Sequence, residues 1–213
     1  MALADLSGLQ SGRLTIGAIP TFLNTVLPAT VAAFCESYPK VQLEVRDLRA
    51  GPIEDQLMSG ALDLGIAFHP TRHGEIETEP LFEERMMVVL RKNAPQAHGQ
   101  QITLQRAAQL PMALLPRSFA TRRMLDEKFR QAGAEPLVRV EMESVEALLG
   151  VCRHGPLATI VPERAALQMP DLHAMALTAP EVVRHAGLLW RRSASRSVAA
   201  REFAARLRAT LVT

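Results

Sequence analysis

Three short stretches of this 213-residue chain place polar side chains where the pattern changes from strand to helix. They are Pro20-Thr21-Phe22, the run Pro116-Arg117-Ser118-Phe119-Ala120-Thr121-Arg122, and Glu143-Ser144-Val145. Each follows a strand-like segment, and in open α/β sheets ligands bind beyond the carboxyl ends of the strands. Thr21, Ser118 or Thr121, and Ser144 are good helix N-caps, whose oxygens accept first-turn N–H groups. The alternative chemistry is anion binding, because an exposed helix start offers free N–H groups and a positive dipole end. Two such starts facing across a cleft suit a small carboxylate or a still smaller anion. Arg122 and Arg123 add charge there, unless they lie solvated on a helix face.

Other chemistries find less support. Gly17 stands alone in a strand-like segment, and no Gly-rich phosphate loop follows it. His69 and His73 have helical ligand spacing but lie in a loop that contains Pro70 and Gly74. Cys152 and His154 are near neighbours, but residues so close on a helix do not face one another. A cleft enzyme needs an acid, a base or a nucleophile at the strand ends, where the chain carries Thr, Ser and Phe. Asp47 and Asp63 are the nearest acids. No catalytic residue, metal site or cofactor is expected.

The elements that would hold these residues are read from periodicity. Residues 13–19 alternate as a strand closed by Pro20. Residues 22–38 have helical spacing, with Pro28 inside the pattern; the helix either starts just before Pro28 or kinks there. Residues 41–45 form a second strand, 52–60 a short helix stopped by Gly60, and 62–68 a largely apolar third strand. Residues 69–80 read as a polar loop and 86–90 as a strand. A second series follows a polar crossing over 91–101. It comprises strands at 112–115, 138–142, 158–161, 172–177 and 186–190, helices at 119–132 and 145–153, a short helix opened by Pro162, and a closing amphipathic helix over 197–211. The pattern is therefore two consecutive β/α series.

The totals set limits on function. Twenty-four basic and 22 acidic residues leave a formal charge of +2, and no basic stripe interleaved with aromatics is present. Direct DNA contact by this segment is not expected. Two scattered cysteines, Cys35 and Cys152, read as buried, reduced thiols. The opening MALADLSGLQSG is neither basic nor a long apolar run, so a cytoplasmic protein without signal peptide or membrane span is expected.

Several of these residues together carry a family likeness. Ser11-Gly12-Arg13-Leu14-Thr15-Ile16-Gly17 resembles the segment that opens the effector-binding domain of LysR-type transcriptional regulators. Leu27-Pro28, Phe34, Tyr38-Pro39, Leu57, Gly60 and Leu62-Asp63-Leu64-Gly65-Ile66 follow in the same order and spacing. Within the family, Pro20-Thr21-Phe22, Ile53-Glu54-Asp55, Leu64 to Phe68 and Phe119-Ala120-Thr121-Arg122 are similar to the regulators of cyanate operons.

The resemblance implies an α/β fold of two Rossmann-like subdomains joined by two crossover strands, like the type 2 periplasmic binding proteins. It implies one subdomain from residues 13–90 plus 186–213 and a second from residues 91–185. Residues 1–12 would be the tail of a linker helix, with the N-terminal winged helix-turn-helix absent. It further implies an effector site between the lobes at Thr21, Phe22, Phe68, Phe119, Ala120, Thr121, Ser144, Val145, Val161 and Pro162. The implied partners are a small anionic effector, such as cyanate, and a second copy of the chain. Helices 22–38 and 119–132 would form the isologous dimer interface. A tetramer is implied for the full-length regulator, with DNA bound only through the absent domain. A solute-binding protein of a transport system shares the architecture and is the alternative reading.

Overall fold

The computed structural model describes residues 12–212; the expected linker tail over residues 1–11 lies outside the described residues. The chain divides into two compact units. One comprises the chain up to Phe82 and from His185 onward, and the other is Glu83–Arg184.

In the first unit, β1 (Gly12–Ala18), β2 (Val41–Asp47) and β3 (Leu64–His69) are parallel, with β1 in the middle. The later part of β10 (Val183–Arg191) adds antiparallel to β3, and the first part of β4 (Ile76–Arg91) lies beyond it. Helices α1 (Pro20–Thr25), α2 (Leu27–Ser37), α3 (Ala50–Ser59) and α8 (Val198–Val212) complete the unit. The expected long helix is thus two helices. The break falls at Val26, and Pro28 sits in the first turn of α2, where its missing N–H is not needed.

Helix α3 ends at Gly60, whose φ of 76° is the left-handed conformation that glycine takes without strain. It lies so close to β3 that a Cβ on Gly65 would come within 2.6 Å of Ile53 Cγ2 and 2.9 Å of Leu57 Cδ1. Helix α8 packs on α2, where Phe34 meets Phe203 edge to face at 5.4 Å. Leu14, Ile16, Phe22, Ile53, Leu64, Ile66, Leu188 and Leu207 fill the core between these elements.

In the second unit, β4 pairs antiparallel with both β8 (Thr159–Pro162) and β9 (Leu172–Thr178), and β5 (Gln101–Thr103) extends β9 in parallel. Strands β6 (Pro111–Leu114) and β7 (Leu137–Glu141) are parallel, and a parallel bridge from Met112 to Ala158 joins them to the start of β8. Helices α4 (Leu104–Ala108), α5 (Ala120–Gln131), α6 (Val145–His154) and α7 (Glu163–Leu167) connect the strands. Leu125 and Phe129 of α5 bury against Met86, Val88, Met112 and Ile160.

Three expectations are corrected. Residues 69–80 are not all loop, because β4 begins at Ile76. Its acids made it read as polar, but Glu77 pairs with Arg196 at 2.8 Å, and Glu79 pairs with both Arg196 and Arg208. Residue Pro162 ends β8 and is the N-cap of α7 instead of its first residue. Of the two thiols, both free, Cys152 is buried but Cys35 is exposed. No helix among the described residues is long and apolar enough to cross a membrane.

Candidate functional site

Parallel strands align their carboxyl ends, so the topology gathers the candidate residues into one set in each unit. In the first unit these are the ends of β1 and β3. Ile19, the residue before α1, is extended and donates its N–H to Ile66 O at 3.2 Å, which ties the start of α1 to β3. Thr21 follows Pro20 in the first turn. It does not cap the helix: the N-cap is Ile19, which has no capping side chain. Only 9% of Thr21 is exposed, and its Oγ1 is buried without a hydrogen-bond partner.

Phe22 is wholly buried, packed edge to face against Phe68 at 5.1 Å and Phe82 at 5.5 Å. Its ring therefore supports Phe68, which is half-buried at the end of β3. His69, beside it, is 5.4 Å from His185 between ring centroids; burial, with help from His185, pushes its pKa below the usual histidine value. Among the described residues no group of three or more His, Cys, Asp or Glu is placed to hold a metal ion.

In the second unit, β6, β7 and β8 bring Phe119 to Thr121, Ser144 and Val145, and Val161 and Pro162 to one edge of the sheet. The two hydroxyl residues differ. Ser144 is a true N-cap: its Oγ accepts from Ala147 N at 3.3 Å and donates to Glu146 Oε2 at 2.7 Å. Thr121 is not a cap. Helix α5 starts after Phe119 with no capping side chain. Instead, Thr121 Oγ1 accepts from Arg184 Nη1 at 2.7 Å. Ala120 is exposed, and Phe119 is half-buried against Leu115 and Leu148. Val145 and Val161 are core residues of one cluster with Met87 and Leu149.

Of the two arginines expected either to add charge for an anion or to lie solvated on a helix face, Arg122 is buried and does neither, while Arg123 is exposed but engaged by the loop before the helix. Arg122, 3% exposed, donates to Leu115 O, Glu141 and Asp126 at 2.7–2.8 Å, locking the first turn of α5 to the ends of β6 and β7. Burial alone would lower its pKa, but the two carboxylates hold it above the usual guanidinium value. Arg123 donates to Arg117 O and Ser118 O and pins the loop before the helix.

Sequence reasoning missed the buried ion pair beneath Thr121. Arg184 Nη2 meets Glu84 Oε2 at 2.6 Å, with both side chains no more than 5% exposed. Burial pulls the Arg184 pKa down and Glu84 opposes that pull. A lone Arg among Val182, Val183 and Ala186 was the available signal, but its partner is 100 residues away in the chain.

A concavity of about 230 Å³ lies elsewhere in the first unit, beside Gly60, Asp63, Trp190 and Arg196. Several of its polar groups serve the fold. Asp63 accepts from Thr15 N at 2.8 Å, Arg196 pairs with Glu77 and stacks on Trp190, and Ser197 accepts from Ala200 N.

Comparison with known proteins connects this architecture to regulators. Residues 7–212 match the model of the LysR substrate binding domain. The helix-turn-helix-type transcriptional regulator YybE of Bacillus subtilis is 25% identical over 181 residues, 85% of this chain and 62% of that protein. The transcriptional regulator SsuR of Burkholderia cenocepacia is 31% identical over 128 residues, 60% of this chain and 42% of that protein. The chain thus spans about half the length of these curated relatives. The structure of HinK, a LysR family transcriptional regulator from Pseudomonas aeruginosa, superposes with a TM-score of 0.84 at 25% identity, over 95% of this chain and 71% of that one. These relatives are regulators of transcription, not enzymes. With residues 7–212 aligned to the family pattern, this chain belongs to the LysR substrate-binding domain family.

Proposed function

We propose that this chain is the effector-sensing domain of a LysR-type transcriptional regulator, and that its effector is a small anion for which Thr21 and Thr121, each at a strand end of its own unit, are the candidate contacts. The observation that carries this reading is the Thr21 hydroxyl, buried without a partner at the uncapped start of α1. Leaving such a group unpaired costs about 1–3 kcal/mol, and a ligand that accepts its proton removes the cost. Phe68 lies at the end of β3 in the first unit, and Phe119 and Ala120 lie at the start of α5 in the second. Val145 and Val161 anchor the second of these strand ends in the core, Pro162 ends β8, and Ser144 fixes the start of α6.

Cyanate is the first candidate, supported by the likeness of Pro20-Thr21-Phe22 and Phe119-Ala120-Thr121-Arg122 to the cyanate-operon regulators. Binding here makes and breaks no bond. The effector acts by favouring one conformation over another, to the extent of its differential affinity for the two. The same reading assigns DNA binding to a separate domain of the full-length regulator, and has the sensing domains pair as a homodimer.

Titration calorimetry with sodium cyanate, sodium azide and sodium acetate tests the assignment. Saturable heat with at least one anion, reduced at least tenfold in affinity by Thr21→Val or Thr121→Val, is expected. The absence of heat with all three anions, or unchanged affinity in both variants, overturns it.

A further inference from the structure

The Arg184–Thr121 bond decides which way the Thr121 hydroxyl can act. A threonine hydroxyl has one proton to donate and two lone pairs to accept with. At 2.7 Å, Arg184 Nη1 donates into one lone pair. A guanidinium has no lone pair of its own, so the Thr121 proton cannot return along that line. Among the described residues, the Arg184 contact is the hydrogen bond found at Thr121 Oγ1, and in it the hydroxyl accepts. The proton is therefore directed away from Arg184, and the neighbouring positive charge polarises the O–H bond and strengthens it as a donor.

Arg184 is itself held in place. Its second terminal nitrogen meets Glu84 Oε2 at 2.6 Å in a buried pair that joins β10 to β4. A planar guanidinium can satisfy both partners at once with fixed geometry, which a lysine ammonium on a flexible stem cannot do equally well. The pair is dipolar, with the carboxylate on the far side of the guanidinium and the positive end towards Thr121.

We propose that Arg184, fixed by Glu84, is a positioning residue that sets Thr121 as a hydrogen-bond donor and so makes this strand end select ligands that present an acceptor. The inference rests on the small-anion reading above and names the device that gives that site its polarity. Glu84 and Arg184 touch no ligand; they act through Thr121.

A thiol placed at position 121 reports the polarity without any ligand. In a Cys35→Ser background, which leaves only the buried Cys152, the thiol of Thr121→Cys is titrated through its rate of alkylation by iodoacetamide. It is expected to ionise below the ordinary cysteine value of about 8.5. Replacing the pair by Glu84→Leu with Arg184→Met should raise its pKa by at least one unit, a tenfold loss of thiolate at a given pH. Arg184→Lys, which keeps the charge and folds without an unpaired Glu84, should restore at least half of that shift. Equal thiol pKa values in all three proteins overturn the inference.

A second arm measures cyanate and azide affinity by calorimetry in Thr121→Val, in the Glu84→Leu/Arg184→Met pair and in all three changes combined. Each is expected to lose about tenfold, and the combination no more than either alone. Fully additive losses contradict action through Thr121. If the wild type binds neither anion, the small-anion reading fails, and the thiol measurement still decides the role of Arg184.

Discussion

The carboxylate of Glu84 and the guanidinium of Arg184 meet at 2.6 Å with both side chains almost fully buried, one on each of the two strands that carry the chain between its units. Removing one member of such a pair strands a charge in a low-dielectric setting, at a cost of about 3–5 kcal/mol, whereas replacing both by apolar groups is close to neutral. Glu84→Ala is therefore expected to lower unfolding free energy by that amount in urea, and Glu84→Leu/Arg184→Met to recover most of it. Similar losses for the single and the paired change would show that the ion pair is not what the two residues contribute.

Thr21 should separate stability from binding. Its buried hydroxyl has no partner in the protein, so Thr21→Val removes an unmet polar group and keeps the shape. A gain of about 1 kcal/mol in stability is expected by thermal unfolding, together with the tenfold loss of anion affinity proposed above. A loss of stability would mean that the hydroxyl has a structural role.

The approach of α3 to β3 depends on Gly65. A methyl group there would overlap Ile53 and Leu57, and overpacking of this kind costs about 1–3 kcal/mol. Gly65→Ala should lower the denaturant midpoint with little change in slope. Gly150, in α6, has no heavy atom within 4 Å of the corresponding position. There Gly→Ala should stabilise by about 0.5–1 kcal/mol, through helix propensity alone.

The two thiols should react very differently. Cys35 is exposed, while burial pushes the Cys152 pKa up to about 12. At pH 8 Cys152 is thus protonated as well as shielded, and the folded protein should take up one equivalent of iodoacetamide against two when unfolded. Prompt modification of both thiols in the folded state would contradict the placement of α6.

The alternation of Leu14 to Ile19 and the helical spacing over residues 119–132 are local signals, and they placed the elements that deliver Thr21 and Thr121. The start of β4 was hidden because Glu77 and Glu79 look like loop residues until Arg196 and Arg208 return from more than 115 residues away. Local pattern could not distinguish a capping hydroxyl from one that does not cap. Ser144 is a cap, while Thr21 and Thr121 lie one position inside their helices, a difference of register that side-chain type does not encode. The Glu84–Arg184 pair was missed for the same reason as β4: its members are distant in sequence, and the apolar setting of Arg184 does not name its partner.

The most direct test of the central claim is an amide NMR titration of the protein with sodium cyanate and sodium azide. The account predicts saturable shifts concentrated at Thr21 and Phe22 in the first unit and at Phe119 to Thr121 in the second, lost in Thr21→Val/Thr121→Val. Saturable shifts that leave both strand ends unmoved, or no saturable shift with either anion, would contradict it.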